Sequence, residues 1–132
     1  MIEQTLIIVK PDAVKRNLVE EILSRFEKKG FTILRQKTLN FTTKMANEFY
    51  SVHSAKPFFD ELVSFITSGE VAAAIIERDN AVSLTREIIG NTNPKEASSG
   101  TIRGDFGINI TENSIHASDS SESFDKEVNV IF

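Results

Sequence analysis

Four segments of strand length, separated by stretches of helical period, narrow the possible folds of this chain sharply. The first is Thr5-Leu6-Ile7-Ile8-Val9, a run rich in β-branched residues. Lys10-Pro11-Asp12 ends it, because proline removes a backbone donor and restricts the residue before it. From Asn17 to Lys29 the period changes to that of a helix. Leu18, Ile22, Leu23 and Phe26 share one stripe, and Glu20, Glu21, Arg25 and Lys28 fall largely off it. Gly30 then suits the left-handed position after a helix end. Phe31 to Leu39 reads as the second strand, and Thr42-Thr43 opens a helical stretch through His53. Pro57 is expected at the first position of another helix, with Phe59, Leu62, Val63 and Ile66 inward and Gly69 as its stop. Val71 to Ile76 is the third strand, and Asn80 to Ile89 a helix closed by Gly90. Asn91 to Asn113 reads as one long loop, a length that is usually functional. Ile115-His116-Ala117 is the fourth strand. Asp119 is expected to cap a last helix, with Glu122 as its capping-box partner and Phe124, Val128 and Ile131 along it. The order β-α-β-α-β-α-loop-β-α favours an α/β or α+β sandwich around one main sheet.

A chain of 132 residues with 40% apolar and 26% charged residues fits one globular domain over residues 1–132. The net charge of -4 argues against a broad nucleic-acid footprint, which needs a basic face. It leaves room for a local basic pocket. There is no cysteine, so disulfides, thiolate chemistry and cysteine-based zinc sites are excluded. Met1-Ile2-Glu3-Gln4 has neither a basic nor an apolar leader character, and no apolar run is long enough for a membrane span. The expectation is a cytoplasmic protein with no membrane association.

The usual nucleotide-binding signatures are missing: there is no G-x-x-x-x-G-K-[ST], and no G-x-G-x-x-G after a strand. Lys10, Arg86, Thr92 and Arg103 nonetheless stand near element ends or in loops, and phosphates want such donors. The glycines of Gly100-Thr101-Ile102-Arg103-Gly104-Asp105-Phe106-Gly107 either make turns, as loop glycines usually do, or let the backbone approach a ligand. Two histidines are present. His116 sits among small and polar neighbours in Asn113-Ser114-Ile115-His116-Ala117-Ser118-Asp119, which favours an accessible ring nitrogen. Glu127 either accepts a hydrogen bond from that ring, leaving the other nitrogen as a nucleophile, or is a solvated helix residue. His53 is most simply a surface residue near a helix end, with a phosphate contact as the sharper reading. Phe58 and Phe59 point about 100° apart on a helix, so one can pack inward and the other can stack on a base.

Five segments, in order and spacing, resemble the nucleoside diphosphate kinase family. They are Lys10-Pro11-Asp12-Ala13-Val14, Arg25-Phe26-Glu27 through Gly30-Phe31, Tyr50 to His53 with Lys56-Pro57-Phe58-Phe59, Thr92-Asn93-Pro94 through Asp105-Phe106, and Asn113 to Asp119. The likeness runs from about Thr5 to the chain end. It implies a ferredoxin-like βαββαβ core with a four-stranded antiparallel sheet and additional helices. It also implies ping-pong transfer from a nucleoside triphosphate, commonly ATP, to a nucleoside diphosphate.

By this resemblance His116 is the phosphorylated nucleophile and Glu127 orients it. Lys10 contacts phosphate and ribose, Asn113 the ribose, and Arg86, Thr92 and Arg103 clamp phosphates. Phe58 stacks on the base with Leu62 nearby, and Tyr50 and Ser118 complete the polar shell. Mg²⁺ is expected to be held mainly by the nucleotide, and the assembly to be a homo-oligomer built from dimers. Four positions depart from the family pattern: Ala117 for glycine, Ser99 for proline, Glu70 in place of Ser-Gly-Pro, and an end at Phe132 without the usual tail. Two other readings compete: a nucleotide-sensing module without catalysis, and a nucleic-acid-binding regulator, against which the acidic balance weighs.

Overall fold

The computed structural model describes residues 2–132. Strands β1 (Ile2–Val9), β2 (Thr32–Leu39), β3 (Val71–Asp79) and β4 (Ile115–Ala117) form one sheet in the order β2-β3-β1-β4. Every neighbouring pair is antiparallel. Helices α1 (Pro11–Lys15), α2 (Val19–Lys28), α3 (Thr43–Phe49), α4 (Phe59–Ile66), α5 (Ala81–Ile89), α6 (Ile102–Phe106) and α7 (Ser121–Ile131) surround it. Taken through β1, α2, β2, β3, α5 and β4, the chain traces the βαββαβ path of a ferredoxin-like α+β sandwich.

Both faces of the sheet are covered, and this explains why the first run is continuously apolar rather than alternating. Ile7 and Val9 of β1 pack with Ile22, Phe26 and Ile89 of α2 and α5. Leu6 and Ile8 pack with Ala46, Phe49, Ile66 and Ile131 of α3, α4 and α7. These four β1 side chains are fully buried, each worth about 1.5–3 kcal/mol of transfer free energy. Ala72, Ala73 and Ala74 of β3 keep both surfaces low where helices cross them.

Several boundaries differ from the sequence expectation. Asn17 takes φ 61°, so the helix expected from Asn17 begins only at Val19, as α2, and the short α1 before it is not among the expected elements. Gly30 has the expected positive φ. The stretch from Thr42 ends as α3 at Phe49, followed by a 3₁₀ turn over Ser51–His53. Pro57 does not open α4. It sits in a turn closed by Phe59 N–H donating to the Lys56 carbonyl, where its fixed φ is equally suited, and Phe58 takes the N-cap. Ser120, not Asp119, caps α7, accepting from Ser123 N–H, while Asp119 accepts from the Ser123 hydroxyl. The predicted long loop contains a 3₁₀ turn at Pro94–Glu96 and the helix α6. Thr101 caps α6 by accepting from Gly104 N–H, a local signal too short to show helical period.

Candidate active site

The alternation of β4 aims the histidine. His116 is opposite Ile8, and Ile115 and Ala117 are opposite Val9 and Ile7. Residues facing each other across a ladder share a sheet face. Ile115 and Ala117 therefore join the α2/α5 layer, and His116 turns toward α3 and α7. There Glu127 waits on α7. It lies at helical spacing with Phe124, Val128 and Ile131, a carboxylate inside an inward stripe. Its Oε1 is 2.9 Å from His116 Nε2 and accepts from the Ser118 hydroxyl at 2.7 Å. An ionised carboxylate only accepts, so Nε2 donates and Nδ1 carries the lone pair. Phe49 of α3 meets the imidazole nearly edge-on, with centroids 4.9 Å apart.

His116 opens into a cleft of about 410 Å³. Ten of the eleven sequence-predicted residues line it: Lys10, Tyr50, Phe58, Leu62, Arg86, Thr92, Arg103, Asn113, His116 and Glu127. Ser118 does not; it is buried and acts on the ring through Glu127. The floor is built of cations held by backbone. Arg103 donates to the carbonyls of Ile115 at 2.9 Å and Gly90 at 3.2 Å. Arg86 donates to the Ala117 carbonyl at 3.1 Å. Lys10 Nζ donates to Asn113 Oδ1 at 2.8 Å. The Asn113 amide donates in turn to the carbonyls of Thr92 and Ile110. Asn113, expected on a ribose, is thus first of all the anchor of Lys10.

Burial and crowding shift these groups. Burial, and then the Arg103 charge, bring the Lys10 ammonium down to about 8, with the Asp12 carboxylate opposing. Burial and then Arg86 lower the Arg103 guanidinium to about 10. Burial lowers His116 below its ordinary value, against the pull of Glu127, so the ring is neutral at pH 7. Burial, helped by Glu127, raises the Tyr50 hydroxyl, which stays protonated.

The departures resolve locally. Ala117 is ordinary extended strand and carries no positive-φ penalty. The strain lies instead at Ser114, fully buried with φ 76°, which costs about 1–3 kcal/mol for a non-glycine residue. Ser99 and Glu70 are both exposed. The loop glycines serve the loop itself. A Cβ on Gly104 would lie 2.1 Å from the Ser98 carbonyl oxygen, and one on Gly107 would collide with Pro94. Neither Gly104 nor Gly107 lines the cleft.

Sequence reasoning missed Phe49, Ile110 and Asp119 as cleft residues. Phe49 carries no signal beyond its place beside Tyr50. Asp119 reads in the sequence as a helix cap. His53 lines the cleft, with Nδ1 buried and without a partner among the described residues, and is more than a surface residue.

The sequence model of one family, described as nucleoside diphosphate kinase, matches residues 3–132. The chain belongs to the nucleoside diphosphate kinase family. A nucleoside diphosphate kinase of Staphylococcus epidermidis is 52% identical over 130 residues, spanning 98% of this chain and 87% of the relative. The solved nucleoside diphosphate kinase of Aquifex aeolicus superposes with TM-score 0.97 at 47% identity, covering 100% of this chain and 96% of the other. That of Halobacterium salinarum, in complex with CDP, gives 0.95 at 40% identity, covering 100% and 88%. As a member of a nucleoside diphosphate kinase family, the chain is an enzyme of phosphoryl transfer that acts on nucleotides. Among the described residues, no helix is long and apolar enough to cross a membrane.

Proposed function

We propose that residues 1–132 work as one domain that carries the terminal phosphate of a nucleoside triphosphate, commonly ATP, to a nucleoside diphosphate through a phosphohistidine at His116. The observation that carries this reading is the Glu127–His116 contact, which leaves Nδ1 as the free nucleophilic nitrogen beside a cationic floor. In the first half-reaction the Nδ1 lone pair attacks the γ-phosphorus, an N–P bond forms, and the Pγ–O bond to the nucleoside diphosphate breaks. In the second, an oxygen of another diphosphate takes the phosphoryl group and Nδ1 regains its lone pair. Phosphoryl transfer needs positioning and charge neutralisation more than proton chemistry. Lys10, Arg86 and Arg103 supply the charge, Thr92 a hydroxyl at the mouth, and Glu127 the fixed tautomer. Phe58 offers a face to any base, with Leu62 nearby, so base discrimination is weak.

Among the described residues, no three His, Asp or Glu side chains stand where they could hold a metal. The Asp119 carboxylate on the cleft wall, with nucleotide phosphates, fits a cation that keeps most of its waters. Mg²⁺ carried by the nucleotide would neutralise charge on the transferring phosphates. The enzyme assembles as a homo-oligomer built from dimers, for which the mostly exposed edge strand β2 offers unpaired backbone, and it works in the cytoplasm.

Incubation with γ-labelled ATP tests the chemistry. An acid-labile, alkali-stable label that leaves on addition of a second diphosphate, and that is absent in His116→Ala, is expected. A wild-type chain that binds nucleotide but takes no label would overturn the phosphohistidine reading.

A further inference from the structure

Asp12 lies outside the cleft, yet its carboxylate joins the segments that carry three cleft groups. It lies in the first turn of α1, two residues after Lys10. Its Oδ2 accepts from Ser114 Oγ at 3.4 Å, two residues before His116. The same oxygen accepts from Arg16 at 3.4 Å, and Arg16 donates onward to the Phe106 carbonyl at the end of α6, the helix of Arg103. The Asp12 side chain is 2% exposed, and Oδ1 has no partner among the described residues. Burial of a carboxylate this incompletely satisfied is costly and needs a reason. The second sign of a function is Ser114 itself. It is buried, holds φ 76°, and its carbonyl accepts from Lys10 N–H at 2.8 Å. Strained backbone of this kind gathers at working sites and persists only where neighbours over-determine it.

We infer that Asp12 is a positioning residue: through Ser114 and Arg16 it sets Lys10 and Arg103 relative to His116. The inference rests on the phosphohistidine reading above. Charge supports the geometry. Asp12 opposes the downward pull on Lys10 by burial and Arg103. The charged groups facing Asp12 are Arg16, Lys10 and Glu112, and those facing the nucleophile are Glu127, Lys10 and Arg86. Lys10 must be protonated to hold phosphate, so the basic limb of kcat/KM falls as pH rises through its pKa. Removing the Asp12 charge lowers that pKa and moves the limb to lower pH.

The test is the rate of His116 labelling by γ-labelled ATP, and kcat/KM against pH, for Asp12→Asn, Ser114→Ala and Arg16→Gln. Asp12→Asn should label roughly tenfold more slowly, with the basic limb displaced downward by at least about half a pH unit. Ser114→Ala and Arg16→Gln should each show a smaller, severalfold loss of rate at unchanged nucleotide affinity. A folded Asp12→Asn protein with the wild-type limb overturns the assignment. If Asp12→Asn does not fold, wild-type rates in both other variants overturn it. A wild-type chain that takes no label overturns the phosphohistidine reading instead, so the two failures are distinct.

Discussion

The floor and the mouth of the cleft are built differently. At the floor, Lys10, Arg103 and Asn113 are at most 5% exposed, and each is tied to backbone or to another member of the set. At the mouth, Phe58 is 43% exposed, Ile110 59% and Val52 71%. The Phe58 ring meets the His53 ring at 5.7 Å and the Lys56 ammonium at 5.6 Å, both soft contacts. A preorganised floor suits the part of a nucleotide that is always the same, the phosphates. An adaptable apolar mouth suits the part that varies, the base.

Substitutions should separate the two regions by size of effect. His116→Ala should abolish transfer by several orders of magnitude while nucleotide binding persists, and residual label in that variant would move the nucleophile elsewhere. Arg103→Ala removes two charge-assisted hydrogen bonds, to the Ile115 and Gly90 carbonyls, and a cation proposed to hold phosphate. It should cost about 2–3 kcal/mol in urea unfolding and about a hundredfold in kcat/KM. A fully stable Arg103→Ala protein would mean that the floor is not prebuilt. Glu127→Gln should slow labelling about ten- to a hundredfold with nucleotide affinity nearly intact, because one charge-assisted hydrogen bond to the ring is lost. A wild-type rate would remove Glu127 from the chemistry. Phe58→Ala should weaken binding of all nucleotides about tenfold and change stability by less than about 0.5 kcal/mol, as titration calorimetry and melting would report. Affinity unchanged in that variant would end the stacking assignment.

The smallest effect belongs to pH. Burial lowers the His116 pKa, so activity should hold below the ordinary histidine value and fall only as the ring protonates at lower pH. On the basic side it should fall as Lys10 loses its proton near pH 8. A stopped assay from pH 5 to 9 reads both limbs, and an acidic midpoint above the ordinary histidine value would mean that Glu127 outweighs burial.

Much of this was legible in the residues. The Thr5 to Val9 run predicts a strand, and the structure buries both of its faces. Ile115-His116-Ala117 predicts β4 to the residue, because apolar neighbours on either side fix which face the imidazole takes. The spacing of Glu127 from Phe124 and Val128 signals a carboxylate on the inward side of α7. The misread segments have short-range causes. A five-residue α6 has no period to detect, and Gly104 disguises it. Asp119 and Ser120 are both good caps, and only geometry chose between them.

By itself, the sequence determined the strand and helix periods, the residue types of the cleft, and the family to which they belong. Periodicity and side-chain chemistry are local, so they survive in one dimension. The tertiary structure alone decided that Asn113 holds Lys10, that Phe49 packs against the imidazole, and that the loop glycines make room for Ser98 and Pro94. It also brought Asp12 and Ser114, 102 positions apart, into contact beneath the site. Such contacts depend on how the layers close, and no spacing along the chain encodes them.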